Sequence, residues 1–153
     1  MNNEKSIDIL NDLIETSRDG VEGFRKCAED GHDPQLKEYF QDRANSCEEA
    51  VRTLSEEVRK LGGEPDTGGT TKGALHRLWI DFRTALTEKD NLAVLEECER
   101  AEDVALEAYQ DALKDEIPEN LRSLITQQLE GVKRNHDRVR QLRDEAENNP
   151  SKA

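Results

Sequence analysis

The sequence predicts an all-α protein: a four-helix bundle of two antiparallel hairpins, joined by a long crossover that contains a short fifth helix. Apolar residues recur at helical, nearly heptad spacing along four long segments, and no stretch alternates with the period of a strand. About thirty residues separate the second long segment from the third, which is typical of a long crossover connection. Alanine, glutamate, lysine, leucine and arginine make up almost half of the chain, as in other proteins with long helices.

The first hairpin is predicted from helices at about residues 4–30 and 34–61. Gly31, Asp33 and Pro34 separate them. Glycine suits the C-terminus of a helix, aspartate caps the N-terminus of the next one, and proline fits its first turn. Because only a few residues connect the two helices, we expect them to pack antiparallel.

The crossover and the second hairpin follow from the remaining breaks in the pattern. Residues 61–69 contain four glycines and a proline, which cannot continue a helix. A short amphipathic helix is predicted at about 71–88, and two long helices at about 91–116 and 118–145. Pro118 separates the last two helices, since the residue before a proline is pushed out of the α region.

Length and composition indicate one acidic domain. Residues 1–144 form the predicted bundle, and residues 145–153, which are polar and lack apolar periodicity, form a flexible tail. The 35 acidic and 22 basic side chains give a net charge of −13, which excludes unaided binding to nucleic acid or to an anionic membrane. No membrane span or signal peptide is recognisable, and three widely spaced cysteines favour a reducing compartment. We therefore expect a soluble cytoplasmic protein.

Polar side chains interrupt the apolar stripes about midway along the long helices. Because these positions lie at similar heights, the side chains could share one layer of the bundle. A carboxylate between long helices is also the environment from which the di-metal sites of bundles are built. The predicted polar core layer consists of Ser17, Glu102, Gln128 and His136, with Cys47 beside it.

Short motifs along most of the chain carry a family resemblance. They are Leu10-Asn11, residues 61–65, residues 73–81, Glu102-Asp103 with Tyr109, and His136-Asp137 with residues 142–144. On these motifs the chain resembles an uncharacterised bacterial family of ferritin-like four-helix-bundle proteins, a domain of unknown function, over about residues 5–144. The resemblance implies a ferritin-like fold and no particular activity.

The ligand pattern of ferritin-like di-iron proteins matches this chain poorly. The first-helix carboxylate would fall near Ser17, and the second-helix Glu-x-x-His would fall on residues 47–50, with Cys and Ala in the ligand places. The third helix does present Glu102, and the fourth keeps His136 but has Lys133 in place of a glutamate. Since a di-iron centre needs several carboxylates to offset the metal charge, we expect no ferritin-type site.

The same residues allow three interpretations of the polar layer. The favoured one is a polar clip in which Glu102 pairs with His136 or Gln128 and fixes the register of the helices. The second is a reduced metal site built from Glu102, His136, Glu99 and Cys47, which would hold iron, manganese or zinc, with zinc or copper favoured where cysteine and imidazole are ligands. The third is a pocket for a small ligand.

Three functions correspond to these interpretations. We favour a non-enzymatic bundle with no catalytic residue and no cofactor, acting through its surface in a structural, interaction or stress-associated role. The alternatives are a metal-binding or oxidoreductase bundle and a small-ligand sensor. The sequence leaves open whether the chain forms a homo-oligomer or binds a protein partner. Trp79 and Ile80 of the crossover are the first residues to inspect for self-association, Trp79 being predicted to dock the crossover on the bundle with His76 at its edge.

Overall fold

Four long helices account for most of the chain. The structure is a computed structural model that describes residues 3–30, 33–66 and 91–148. The helices are α1 (Asn3–Asp30), α2 (Pro34–Lys60), α3 (Asn91–Lys114) and α4 (Glu119–Asn148). No strand occurs in these ranges, so the prediction of an all-α protein with four long helices is confirmed for them. The predicted crossover helix at 71–88, with His76, Trp79 and Ile80, lies outside the described residues.

The helices pack as two antiparallel hairpins. In the first, contacts nearer the end of α1 are made to residues nearer the start of α2: Gly20 lies against Cys47, and Phe24 lies against Tyr39. In the second, hydrogen bonds join α3 to α4 in the same antiparallel order. The α1 helix also packs against α3, which brings the hairpins together. None of the described helices has the length and hydrophobicity needed to cross a bilayer.

The ends of α2 follow the local signals in the sequence. Asp33 Oδ1 accepts hydrogen bonds from the backbone N–H groups of Gln35 at 2.9 Å and Leu36 at 3.3 Å, and Pro34 is the first helical residue. These bonds satisfy two N–H groups that have no partner inside the helix. At the other end, Gly62 adopts a φ of 84°, a conformation that glycine takes without steric cost, and it turns the chain out of the helix.

The second hairpin differs from the predicted ranges at two ends. The α3 helix stops at Lys114, where Arg122 donates to the carbonyl oxygens of Leu113 and Asp115 at 2.9 Å each and so satisfies the helix end. The α4 helix continues to Asn148, past residue 145, where the sequence places the flexible tail. The reason is packing: Ala146 lies one turn beyond Leu142, and both contact the buried core.

The core divides into two clusters. The first lies near the α1–α2 connection, and we call it the aromatic cluster: Phe24, Cys27, Ala28, Leu36, Tyr39, Phe40, Ala44, Val94, Leu95, Cys98 and Val139. The second lies at the opposite end, and we call it the aliphatic cluster: Leu10, Leu13, Ile14, Leu54, Val58, Tyr109, Ala112, Ile117, Leu121, Ile125, Leu129 and Val132. Ser17, Glu102 and His136 lie between the two clusters along their helices, whereas Gln128 lies beside the aliphatic cluster.

Candidate functional site

A buried ion pair between α2 and α3 lies at the centre of the polar layer. Arg43 Nε donates to Glu102 Oε1 at 2.9 Å, and Arg43 Nη2 donates to Glu102 Oε2 at 3.3 Å. The exposed fractions of the two side chains are only 6% and 1%. The sequence predicts His136 or Gln128 as the partner of Glu102, and the structure corrects this to Arg43. The correct partner is hard to recognise in the sequence because an arginine beside an apolar stripe usually extends its charge to solvent.

The surroundings of the pair keep the guanidinium charged. Burial lowers the pKa of Arg43, but the facing Glu102 carboxylate, with smaller contributions from Cys47 and Tyr39, more than offsets this, so the pKa is raised above its ordinary value. Burial also raises the pKa of Glu102, and Arg43 opposes that rise. The Arg43 Cζ atom lies 5.3 Å from the centroid of the Phe24 ring, so an aromatic face covers part of the cation. The pair therefore acts as a charged clip that joins the two hairpins.

His136 belongs to a separate contact. Its Nε2 atom lies 2.6 Å from Asp103 Oδ1, and this contact joins α4 to α3 within the second hairpin. The imidazole is mostly buried, whereas the Asp103 side chain is more than half exposed. The structure therefore places His136 at the edge of the polar layer, paired with the residue that follows Glu102 in the sequence.

Gln128 takes part in a second polar link across the bundle. Tyr109 Oη donates to Gln128 Oε1 at 2.8 Å and is also hydrogen bonded to Ser17. Burial raises the pKa of Tyr109 to about 12, and the bond to Ser17 partly opposes this. The phenol therefore remains a protonated donor at neutral pH. Through these contacts, Ser17 and Gln128 connect α1, α3 and α4.

The other two candidate ligands have different neighbours. Cys47 lies against Gly20 on α1, and burial raises the pKa of its thiol, so the thiol stays protonated and is a poor metal ligand at neutral pH. The Glu99 carboxylate accepts from Arg143 Nη1 at 2.5 Å. Across residues 3–30, 33–66 and 91–148, no group of three or more His, Cys, Asp or Glu side chains could hold a metal ion.

A cavity of about 550 Å³ adjoins the polar layer. Its deep walls include Ser17, Cys47, Glu102 and Tyr109. Its exposed lining residues belong to two helices, with Ser46 and Glu49 on α2 and Gln127 and Arg134 on α4, so the mouth lies between α2 and α4. Of the predicted polar layer, Ser17, Glu102 and Gln128 line the cavity, whereas His136 does not. The sequence gives no direct signal for such a space, because it depends on which small residues face one another.

Comparison with protein families shows which family the chain matches. A family described as a domain of unknown function, DUF2383, matches residues 5–115. This region contains α2, α3 and all but the first two residues of α1, and with them both members of the Arg43–Glu102 pair. No curated protein is significantly similar to the chain. Because the match spans well over half of the sequence, the chain belongs to the DUF2383 family.

Proposed function

We propose that this chain is a ferritin-like bundle without enzymatic activity, whose di-metal site has been replaced by a polar core layer. It acts through its surface, in a structural, interaction or stress-associated role, with a protein or a second copy of itself as partner. One observation carries the proposal: the Arg43 guanidinium makes two hydrogen bonds to Glu102, the carboxylate that matches the third-helix ligand of ferritin-like di-iron sites.

The charge of Arg43 is what argues against a metal. A guanidinium stays protonated at all ordinary pH values and occupies both oxygens of the carboxylate. A divalent cation at Glu102 would have to displace Arg43, and would then lie close to a buried positive charge. A bidentate arginine is therefore a substitute for a metal at this carboxylate, since it neutralises the charge and fills the oxygen acceptors.

The reduced metal site is the main competing function, and the contacts of its four candidates count against it. Glu102 pairs with Arg43, Glu99 with Arg143, and His136 with Asp103. The fourth candidate, the Cys47 thiol, has a raised pKa. Metal binding would require at least two of these contacts to break, and each broken contact leaves a charged group to be solvated.

Elemental analysis of protein purified without a chelator and without a metal-affinity tag tests the proposal. We expect iron, manganese and zinc each well below one per chain. Thermal unfolding with added Mn²⁺, Fe²⁺ or Zn²⁺ extends the test, using Glu102→Gln and, as a matched carboxylate-to-amide control, Asp103→Asn. We expect any metal-dependent shift in Tm to be the same in the wild type and in Glu102→Gln. Stoichiometric metal, or a shift that only Glu102→Gln abolishes, would contradict the proposal.

A further inference from the structure

The cavity between α2 and α4 has the properties of a binding site for a small molecule. Its volume of about 550 Å³ falls within the range of about 300–1,000 Å³ that is usual for ligand pockets. We propose that it binds a small uncharged molecule that carries an amide, carbonyl or hydroxyl group on an apolar body. This inference does not depend on the surface role proposed above, and the two can fail separately.

The described part of the crossover does not occupy this space. After α2 the chain runs along α1: Asn11 Nδ2 donates to the Glu64 carbonyl oxygen at 3.2 Å, and Arg18 Nε donates to the Asp66 carbonyl oxygen at 3.0 Å. At about 100° per residue, Asn11 and Arg18 share a face of α1 that differs from the face carrying Ser17 and Gly20, which line the cavity. Residues 63–66 contribute nothing to the lining.

The charges of the lining favour an uncharged ligand. Deep in the cavity, Arg43 and Glu102 neutralise each other through two hydrogen bonds. At the mouth the lining contains one charge of each sign, Glu49 and Arg134. A charged ligand that passes beyond the mouth would therefore lose its hydration without meeting an unpaired counter-ion, a cost that an uncharged ligand does not meet.

The uncharged lining residues include both polar and apolar side chains. Ser17, Tyr109 and Gln128 form a hydrogen-bonded group. Tyr109 occupies the Gln128 oxygen, so the Gln128 amide N–H₂ can donate to a ligand carbonyl, and the nearby Asn135 amide offers both a donor and an acceptor. The apolar surface comes from Phe24, Leu124 and Val132. The site thus suits a molecule that combines a polar group with an apolar body.

Three aromatic probes of nearly the same shape test this charge preference: benzamide, benzoate and benzamidinium, which are neutral, anionic and cationic at pH 7. Binding is followed in the full-length ¹⁵N-labelled protein through backbone amide shifts. Gly20 and Gly131 line the cavity and report on it, whereas Gly62 and Gly63 lie at the end of α2 and serve as internal controls. Glycine amides usually resolve well, so the four signals can be compared in one titration.

We expect benzamide to shift the Gly20 and Gly131 signals with a millimolar Kd, and benzoate and benzamidinium to bind at least about tenfold more weakly, because each would bring an unpaired charge into the site. Equal or tighter binding of either charged probe would overturn the preference for an uncharged ligand. The absence of shifts at Gly20 and Gly131 with all three probes, or equal shifts at Gly62 and Gly63, would overturn the site itself.

A pair of variants at one position locates the bound probe. A Cβ atom at Gly131 would have only Arg134 Nη2 within 4 Å, at 3.6 Å, so a methyl group fits at this position of the lining without a clash. Gly131→Ala should keep benzamide affinity within about threefold, whereas Gly131→Leu should abolish binding by filling the space. If Gly131→Leu does not fold by circular dichroism, Ala105→Leu narrows the same cavity from α3. Unchanged affinity in a folded cavity-filling variant would overturn the proposal.

Discussion

The two ends of the bundle core use different side chains to exclude water. In the aromatic cluster, the rings of Phe24, Tyr39 and Phe40 lie with centroids 5.7 to 6.4 Å apart. Two arginines lie against these rings, with Arg43 Cζ 5.3 Å from Phe24 and Arg138 Cζ 5.2 Å from Tyr39. In the aliphatic cluster, by contrast, Tyr109 is the one aromatic member, and among the described residues no arginine lies over its ring.

This difference explains where the bundle can bury a charge. A ring offers a negative face to a guanidinium, and a carboxylate accepts hydrogen bonds from the N–H groups along its edge. Arg43 lies between Phe24 and Glu102, so most of the free-energy cost of burying its charge is offset. Leucine and isoleucine offer no such surface. We therefore expect stability near the aromatic cluster to depend on charge pairing, and stability in the aliphatic cluster to depend on filled volume.

The largest expected effect is that of Glu102→Ala. Removing the carboxylate leaves the Arg43 charge buried without its partner, so the free energy of unfolding should fall by about 4 kcal/mol. Urea unfolding followed by circular dichroism measures the loss. Replacing both residues, as Arg43→Met with Glu102→Leu, should restore stability to within about 1 kcal/mol of the wild type, since the cost lies in the unpaired charge. A loss below about 1 kcal/mol for Glu102→Ala would mean that water in the adjoining cavity solvates Arg43.

The next effect concerns volume in the aliphatic cluster. Ile125 is fully buried there, and Ile125→Ala should lower the free energy of unfolding by about 3 kcal/mol because it removes apolar contacts and leaves a cavity. Ile125→Val, which removes a single methylene, should cost about 1 kcal/mol in the same urea titration. If the two substitutions lower the free energy of unfolding equally, or if Thr126→Ala at the neighbouring exposed position lowers it as much, then filled volume does not control stability at this end of the core.

A third prediction concerns the close approach of α1 and α2 between the two clusters. A Cβ atom at Gly20 would lie only 2.7 Å from Cys47 Sγ, so Gly20→Ala should lower the free energy of unfolding by about 2 kcal/mol through overpacking. In a Cys47→Ala background the sulfur is absent, and Gly20→Ala should instead raise the free energy of unfolding by up to about 1 kcal/mol, because alanine has a higher helix propensity than glycine. The wild type, the two single variants and the double variant form a double-mutant cycle. If the two substitutions change the free energy of unfolding additively, contact with the sulfur is not the reason that position 20 needs glycine.

The contrast between the two clusters also shows what the sequence can and cannot predict. The four long helices and the inward position of Glu102 follow from apolar spacing, which any helix must obey locally. The partner of Glu102 does not follow, because Arg43 reaches it across 59 positions of sequence and a long side chain can extend in several directions. The cavity is equally hidden, since Gly20 and Gly131 resemble ordinary helix positions until four helices are placed around them.

The smallest expected effect comes from an exposed counterpart of the buried pair. Arg25 Nη2 lies 2.7 Å from Glu48 Oε2, slightly closer than the 2.9 Å and 3.3 Å of the Arg43–Glu102 bonds, but the exposed fractions of the two side chains are 52% and 50%. Water already solvates both charges, so a double-mutant cycle with Arg25→Ala and Glu48→Ala should give a coupling energy of about 0.5 kcal/mol, falling further in 0.5 M salt. A coupling above about 1.5 kcal/mol, or one that salt leaves unchanged, would contradict this. We thus expect the two arginine–glutamate pairs to differ in energy mainly because of burial, and burial beside an aromatic face makes the inner pair the stronger contribution, alongside the packing of α1 against α3, to the contact between the two hairpins.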